Sequence, residues 1–120
     1  MSEENKQALR KANAAVADGN YEGFLSFCAD DTRWVMVGDK TLEGQEAVRQ
    51  WFAASYGEPP ENKVALMIAD GEFVTAVGDM TVKDKAGKQT HYSYSDVWRF
   101  RDGKMLELHA FVVETKSDLF

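Results

Sequence analysis

Apolar residues recur every three or four positions in the first half of the chain and every second position in the last third, so helices are predicted first and strands after them. Ala8, Leu9, Ala12, Ala15 and Val16 form one helical stripe, with Lys6, Arg10 and Lys11 on the other side. Asp18-Gly19-Asn20 breaks this helix, Gly19 as the residue after its end and Asn20 as the cap of the next. A second short helix carries Tyr21, Phe24, Leu25 and Cys28 on one face, and Asp30-Asp31-Thr32 turns out of it. Arg33 to Val37 reads as a strand bounded by Gly38-Asp39, with Trp34 and Met36 on one face and Arg33, Val35 and Val37 on the other. A third helix opens at Gly44-Gln45-Glu46 and places Ala47, Val48, Trp51, Phe52 and Ser55 inward. Gly57 and Pro59-Pro60 end it.

The remainder alternates. Lys63 to Ala69 and Glu72 to Lys83 flank Asp70-Gly71, and Gln89 to Arg101 and Lys104 to Thr115 flank Asp102-Gly103, each a hairpin signal. Ala86-Gly87-Lys88 supplies the turn between the two hairpins, and Lys116 to Phe120 reads as a loosely held tail whose Leu119 and Phe120 could pack on a partner. Three helices followed by long strands predict an α+β domain, the helices gathered on one face of a mostly antiparallel sheet. Strands this long must twist and curl, and a curled sheet leaves a concavity.

Composition narrows the class. The chain has 120 residues and is 44% hydrophobic, which predicts one domain over residues 1–120 with one core. Its net charge of -6 argues against a nucleic-acid backbone as partner. No apolar run approaches the roughly 18 residues of a membrane span, and the polar start Met1-Ser2-Glu3-Glu4-Asn5-Lys6 predicts no secretory signal. Cys28 is the only cysteine, so no disulfide forms within the chain; this fits a cytoplasmic location, and Cys28 reads as a core residue.

The most informative residue is Asp96. Alternation puts Tyr92, Tyr94, Asp96, Trp98 and Phe100 on one face, and four aromatics on a face mean that the face is buried. A carboxylate there must be paired, hydrogen-bonded or protonated. Either it organises the core through a Tyr, a Trp or a basic partner, or it faces a ligand cavity, where lost hydration raises its pKa and makes it a general acid or base with Tyr92 or Tyr94 assisting. Trp34, Met36, Trp51, Phe52, Tyr56, Trp98 and Leu108 are the candidate lining. An aromatic wall with one or two polar groups is the usual form of a small-molecule site, although the same residues could simply fill the core. Asp79 follows Gly78 in a strand where Phe73, Thr75, Val77, Asp79 and Thr81 compete with Val74, Ala76, Gly78, Met80 and Val82 for the inner face. If the first set faces inward, Asp79 is a second pocket carboxylate, and a bulge at Gly78 fits either choice. His91 starts its strand near the rim and reads as solvated, while His109 lies on the face opposite Leu106, Leu108 and Ala110. No His, Cys and Asp set has metal-ligand spacing, so neither metal nor cofactor is expected.

Several local patterns, in order, resemble one superfamily. Ala17-Asp18-Gly19-Asn20-Tyr21 is similar to the break between its first two helices, and Cys28-Ala29-Asp30-Asp31-Thr32 to its turn into the first strand. Leu42-Glu43-Gly44-Gln45-Glu46-Ala47-Val48 resembles the start of its third helix, and Asp96-Val97-Trp98-Arg99-Phe100-Arg101-Asp102-Gly103-Lys104-Met105 its last hairpin. From about residue 7 to 115 the chain resembles the SnoaL-like branch of the nuclear transport factor 2-like superfamily. The resemblance implies a cone-shaped α+β barrel, three N-terminal helices packed on a curved, mostly antiparallel sheet that encloses a pocket. It also implies a homodimer through the outer sheet face, where Val97, His109 and Phe111 alternate with polar residues.

The resemblance implies that Asp96 falls on the oxyanion-hole aspartic acid of ketosteroid isomerases, a carboxylic acid kept neutral by an apolar site. The base aspartate of those enzymes falls at Met36 and their oxyanion-hole tyrosine near Ala12, so their mechanism does not carry over. The acidic residue near the end of the last strand in SnoaL-type polyketide cyclases falls near Val112 or Val113. Two functions stay open. One is acid/base chemistry, of isomerase, cyclase or dehydratase type, on a small hydrophobic, cyclic or carbonyl-bearing molecule. The other is a non-catalytic binding or dimeric accessory domain.

Overall fold

The alternation of long apolar strands after Glu61 resolves into one sheet in a computed structural model that describes residues 2–117 and 119. The elements run α1 (Ser2–Ala17), α2 (Tyr21–Leu25), β1 (Cys28–Met36), β2 (Lys40–Glu43), α3 (Gly44–Ser55), β3 (Glu61–Asp70), β4 (Phe73–Lys83), β5 (Gln89–Arg101) and β6 (Lys104–Glu114). The six strands are ordered β2-β1-β6-β5-β4-β3. Every neighbour is antiparallel except β1 and β6, which are parallel because the chain returns to β1's flank only after the whole β3–β6 meander. The two edges do not meet, so the sheet curves without closing. Among the described residues no helix is long and apolar enough to cross a membrane.

The helices pack on the concave face through one buried cluster that joins Leu9 and Ala12 of α1, Phe24 and Leu25 of α2, and Val48 and Phe52 of α3 to Trp34, Val74, Trp98, Phe100, Met105 and Leu108 of the sheet. The break between the first two helices is built as its residues require. Gly19 takes a φ of 77°, and the Asn20 side chain accepts the backbone N–H of Gly23 at 2.9 Å. Both predicted hairpins form. Gly71 and Gly103 sit at positive φ, and Asp102 joins them at 51°.

Three expectations are corrected in this part of the fold and one strand is added. Cys28 is not helical: α2 stops at Leu25, and Cys28 begins β1, buried with its Sγ toward the Phe24 carbonyl. Asp30-Asp31-Thr32 lies inside β1 where its register against β6 slips between Cys28 and Arg33. Thr32 is buried there with Oγ1 donating to the Met105 carbonyl, so a turn-like triplet is absorbed as an irregularity of the strand. The short strand β2 was not anticipated, because Lys40-Thr41-Leu42-Glu43 has a single apolar residue and takes its shape from pairing with β1. The bulge expected at Gly78 lies instead on the facing strand, between Val64 and Leu66 of β3.

The ambiguous strand is resolved as well. Val74, Ala76, Gly78, Met80 and Val82 face inward, and Asp79 faces the outer side of the sheet. Asp79 is therefore not a second pocket carboxylate. It is 2% exposed because the C-terminal segment folds over it. Its Oδ1 accepts Ser93 Oγ at 2.6 Å and the backbone N–H of Leu119 at 3.1 Å. Beside it, Thr115 donates its N–H to the His91 carbonyl, and its Oγ1 lies 2.7 Å from His91 Nδ1. His91 is thus half-buried in an outer-face network and not solvated, and the tail is tethered as far as Leu119. Phe120, which the sequence offers with Leu119 as an alternative contact for a partner, lies outside the described residues.

Candidate functional site

The concavity is a cavity of about 1110 Å³ between the helices and the sheet, a size suited to a small organic molecule. Its wall includes every residue expected to line it: Trp34, Met36, Trp51, Phe52, Tyr56, Trp98 and Leu108. Tyr92, Tyr94 and Asp96 line it too, as strict alternation along β5 requires. Asp79, His91 and His109 do not.

Register decides what stands beside Asp96. On β4 its partner is Ala76, and on β6 it is Ala110, so both flanking side chains are methyl groups that offer no hydrogen bond and leave the space in front of the carboxyl open. Along its own strand, Trp98 packs edge-on against Trp34, with ring centres 5.5 Å apart and planes at 84°. Tyr94 turns away. Its phenol crosses β4 over Gly78 and donates to Asn62 Oδ1 on edge strand β3 at 2.5 Å. No described residue donates a hydrogen bond to the Asp96 carboxyl. Burial alone raises its pKa to about 7, because the ionised form loses hydration and gains no protein partner in return.

The phenols in the wall differ in what holds their hydroxyls. The Tyr94 proton is committed to Asn62, whereas Tyr56, expected only as lining, is a half-buried phenol at the end of α3. It stacks on Phe52 at 5.7 Å and meets Trp51 edge-on at 5.5 Å. Burial raises the Tyr56 pKa, and the negative charges of Tyr21, Asp96 and Tyr92 raise it further, which places its hydroxyl in the electrostatic neighbourhood of Asp96. Tyr94 is raised as well, first by burial and then by Asp96, against the lowering effect of its bond to Asn62. Both phenols are neutral donors at neutral pH. In the sequence Tyr56 stands only among the candidate lining residues, where nothing distinguishes it from Trp51 or Phe52.

Met36 lines the cavity with a thioether that takes no proton, and Ala12 is fully buried in α1. Glu114 shares the face of Val112 at the end of β6, but it is exposed and not part of the wall. Among the described residues no three His, Cys, Asp or Glu side chains are grouped to hold a metal. The Trp34 indole N–H is buried without an acceptor among those residues, and the rings packed edge-on around it can take it only as a weak N–H···π contact.

The SnoaL-like domain family matches residues 9–108 of this chain. Similar solved structures include an NTF2-like protein of unknown function from Burkholderia pseudomallei, at 22% identity and a TM-score of 0.81, covering 94% of this chain and 92% of that one. TerC, crystallised with polyporic acid, is 22% identical with a TM-score of 0.79, covering 92% of each chain. Bal32a, from a soil-derived mobile gene cassette, is 17% identical with a TM-score of 0.82, covering 92% of this chain and 90% of that one. At these identities the likeness is one of fold. No curated protein sequence matches the chain.

Proposed function

Because the chain belongs to the SnoaL-like domain family, whose fold serves enzymes and binding proteins alike, we propose that its cavity binds a small hydrophobic, cyclic or carbonyl-bearing molecule and exchanges a proton with it through Asp96. The carrying observation is a carboxyl set between two alanines, without a protein donor, facing an aromatic-lined cavity. A carboxylic acid that titrates near neutrality can give or take a proton at physiological pH. Tyr92 or Tyr56 would assist rather than Tyr94, since both line the cavity and the Tyr94 proton is held by Asn62. The chemistry class is isomerase, cyclase or dehydratase, which needs no cofactor. That TerC was crystallised with polyporic acid supports a small organic ligand for a cavity of this fold.

The test is a titration of the Asp96 carboxyl carbon by NMR, assigned with Asp96→Asn, alongside turnover of enolisable cyclic ketones. The expected midpoint is about 7. Donor activity is then full below that midpoint and lost as pH rises through it, and Asp96→Asn lowers turnover by about 100-fold or more. A midpoint at the ordinary carboxylate value near 3.9, or unchanged turnover in Asp96→Asn, removes the acid role. A second reading, a non-catalytic binding protein, is favoured by one observation: Met36 stands where a second proton-handling group would be needed.

The outer sheet face supports a homodimer. By register Ile68, Val97 and His109 share it, as do Phe73, Phe111 and Val113, and Ile68 and Val113 are more than 60% exposed. An apolar sheet face this broad is the form of a protein–protein contact. Light scattering at tens of micromolar is expected to give twice the monomer mass, and Phe111→Glu, which sets a charge in the middle of the face, to raise the dimer Kd by about tenfold or more. A monomeric wild type at that concentration rules the dimer out.

A further inference from the structure

Among the described residues no basic side chain is ion-paired with the Asp96 carboxyl, and burial is what raises its pKa. The other charged groups in the wall are occupied or stand on other elements. Arg10 of α1 is paired with Glu3 at 3.5 Å. Asp84, in the turn after β4, accepts the backbone N–H groups of Ala86 and Lys88, both at 2.9 Å. Lys88 in the same turn and Asp39 after β1 complete the charged lining. A phenol carries no positive charge in either protonation state, so Tyr56, Tyr92 and Tyr94 cannot balance a carboxylate.

We propose that this cavity takes a hydrophobic organic cation, a ring-bearing amine whose ammonium pairs with the Asp96 carboxylate while its rings lie among Trp51, Tyr56, Tyr92 and Trp98. This ligand class presupposes that the cavity is the working site, as proposed above, and adds the sign of the charge it selects. Three physical terms favour it. An ammonium gives the carboxylate a charge-assisted hydrogen bond, roughly twice as strong as a neutral one. Aromatic side chains attract a cation through their negative ring faces. The chain's net charge of -6 draws cations toward the cavity and repels anions. A neutral oxygen acceptor, by contrast, engages only the protonated fraction of Asp96, and a ligand anion meets an unscreened carboxylate.

Proton linkage gives the sign of the pH dependence. The ammonium favours the ionised carboxyl, so binding releases a proton near neutrality. Affinity for the amine then rises from pH 5.5 to pH 8, opposite to that of a ligand that accepts a proton or hydrogen bond from the acid form.

The decisive comparison uses two probes of one shape, 1-naphthylmethylamine and 1-naphthalenemethanol, titrated calorimetrically into the full chain at both pH values. The amine is expected to bind about tenfold more tightly than the alcohol at pH 8. The preference should shrink toward unity at pH 5.5 and vanish in Asp96→Asn. Equal binding of the two probes at pH 8 overturns the proposal, as does a preference that survives in Asp96→Asn, since the surface carboxylates would then be its source. If the alcohol binds and its affinity falls as pH rises, the cation is excluded while the acid role of Asp96 stands. If neither probe binds at millimolar concentration, both readings of the cavity fall. Should Asp96→Asn not fold, the two pH values on wild type still decide.

Discussion

Gly78→Ala is expected to loosen edge strand β3 and to destabilise the protein by about 3 kcal/mol, the upper range for forcing a methyl into closed space. A Cβ at Gly78 would lie 2.2 Å from the Lys63 carbonyl oxygen and 3.0 Å from both the Lys63 carbonyl carbon and the Tyr94 hydroxyl. The first of these is backbone and cannot swing aside. It sits over Gly78 next to the point where β3 slips register between Val64 and Leu66. Relief must come from moving β3, which within the sheet is held only by β4. That movement draws Asn62 away from Tyr94 and breaks the 2.5 Å bond across the cavity floor. Urea denaturation should show the loss, and hydrogen exchange should show the β3 amides opening before those of β5 and β6. A loss under about 1 kcal/mol would mean that β3 adjusts freely and that the glycine is not what lets the phenol cross the strand.

Asp96→Asn is expected to make the protein more stable at pH 8, on the order of 3 kcal/mol at most, while abolishing whatever proton transfer the cavity performs. The folded-state pKa of Asp96 is raised to about 7, so the folded chain holds a proton that the unfolded chain releases near pH 4. Between those values stability falls as pH rises, and above about 7 the full penalty of an unpartnered buried carboxylate is present. The amide removes that penalty and keeps the shape. Solvent screening reduces it, because Asp96 is only half-buried. Thermal melts of wild type and Asp96→Asn should therefore diverge as pH rises from 4 to 8 and coincide near 4. A variant less stable than wild type at pH 8 would show that the carboxylate is a satisfied structural anion, and the proposed cavity chemistry would go with it. With the expected divergence, the same group limits stability and carries function, as where a site is kept polar inside an apolar wall.

The two predictions differ in how far the sequence reaches. A bulge at Gly78 is legible from a glycine beside a charged residue in an apolar strand, but not that the facing strand carries it. Asp96 was marked as an inward carboxylate by its aromatic neighbours two residues away on either side. What flanks it was not marked, because the two alanines come from strands twenty and fourteen residues distant and only register brings them together.

By itself the sequence determined the order of helices and strands, the glycine turns that join them, and the inward face of β5. Each of these follows from local periodicity and backbone sterics, which act over a few residues. It did not mark β2, since Lys40-Thr41-Leu42-Glu43 is a strand only through its ladder to β1. It misread Cys28, since apolar residues at helical spacing continue past Leu25 while the backbone does not. It left the face of β4 open, since both alternating sets carry apolar residues and the choice depends on what covers each side of the sheet. The tertiary structure decided these, and with them the site. It buried Asp79 under the tail on the outer face, sent the Tyr94 proton to Asn62, and left Asp96 between two methyl groups. Cross-strand neighbours are set by bulges and by the packing of helices on one face, energies that sum over contacts distant in sequence and that no short window of residues contains.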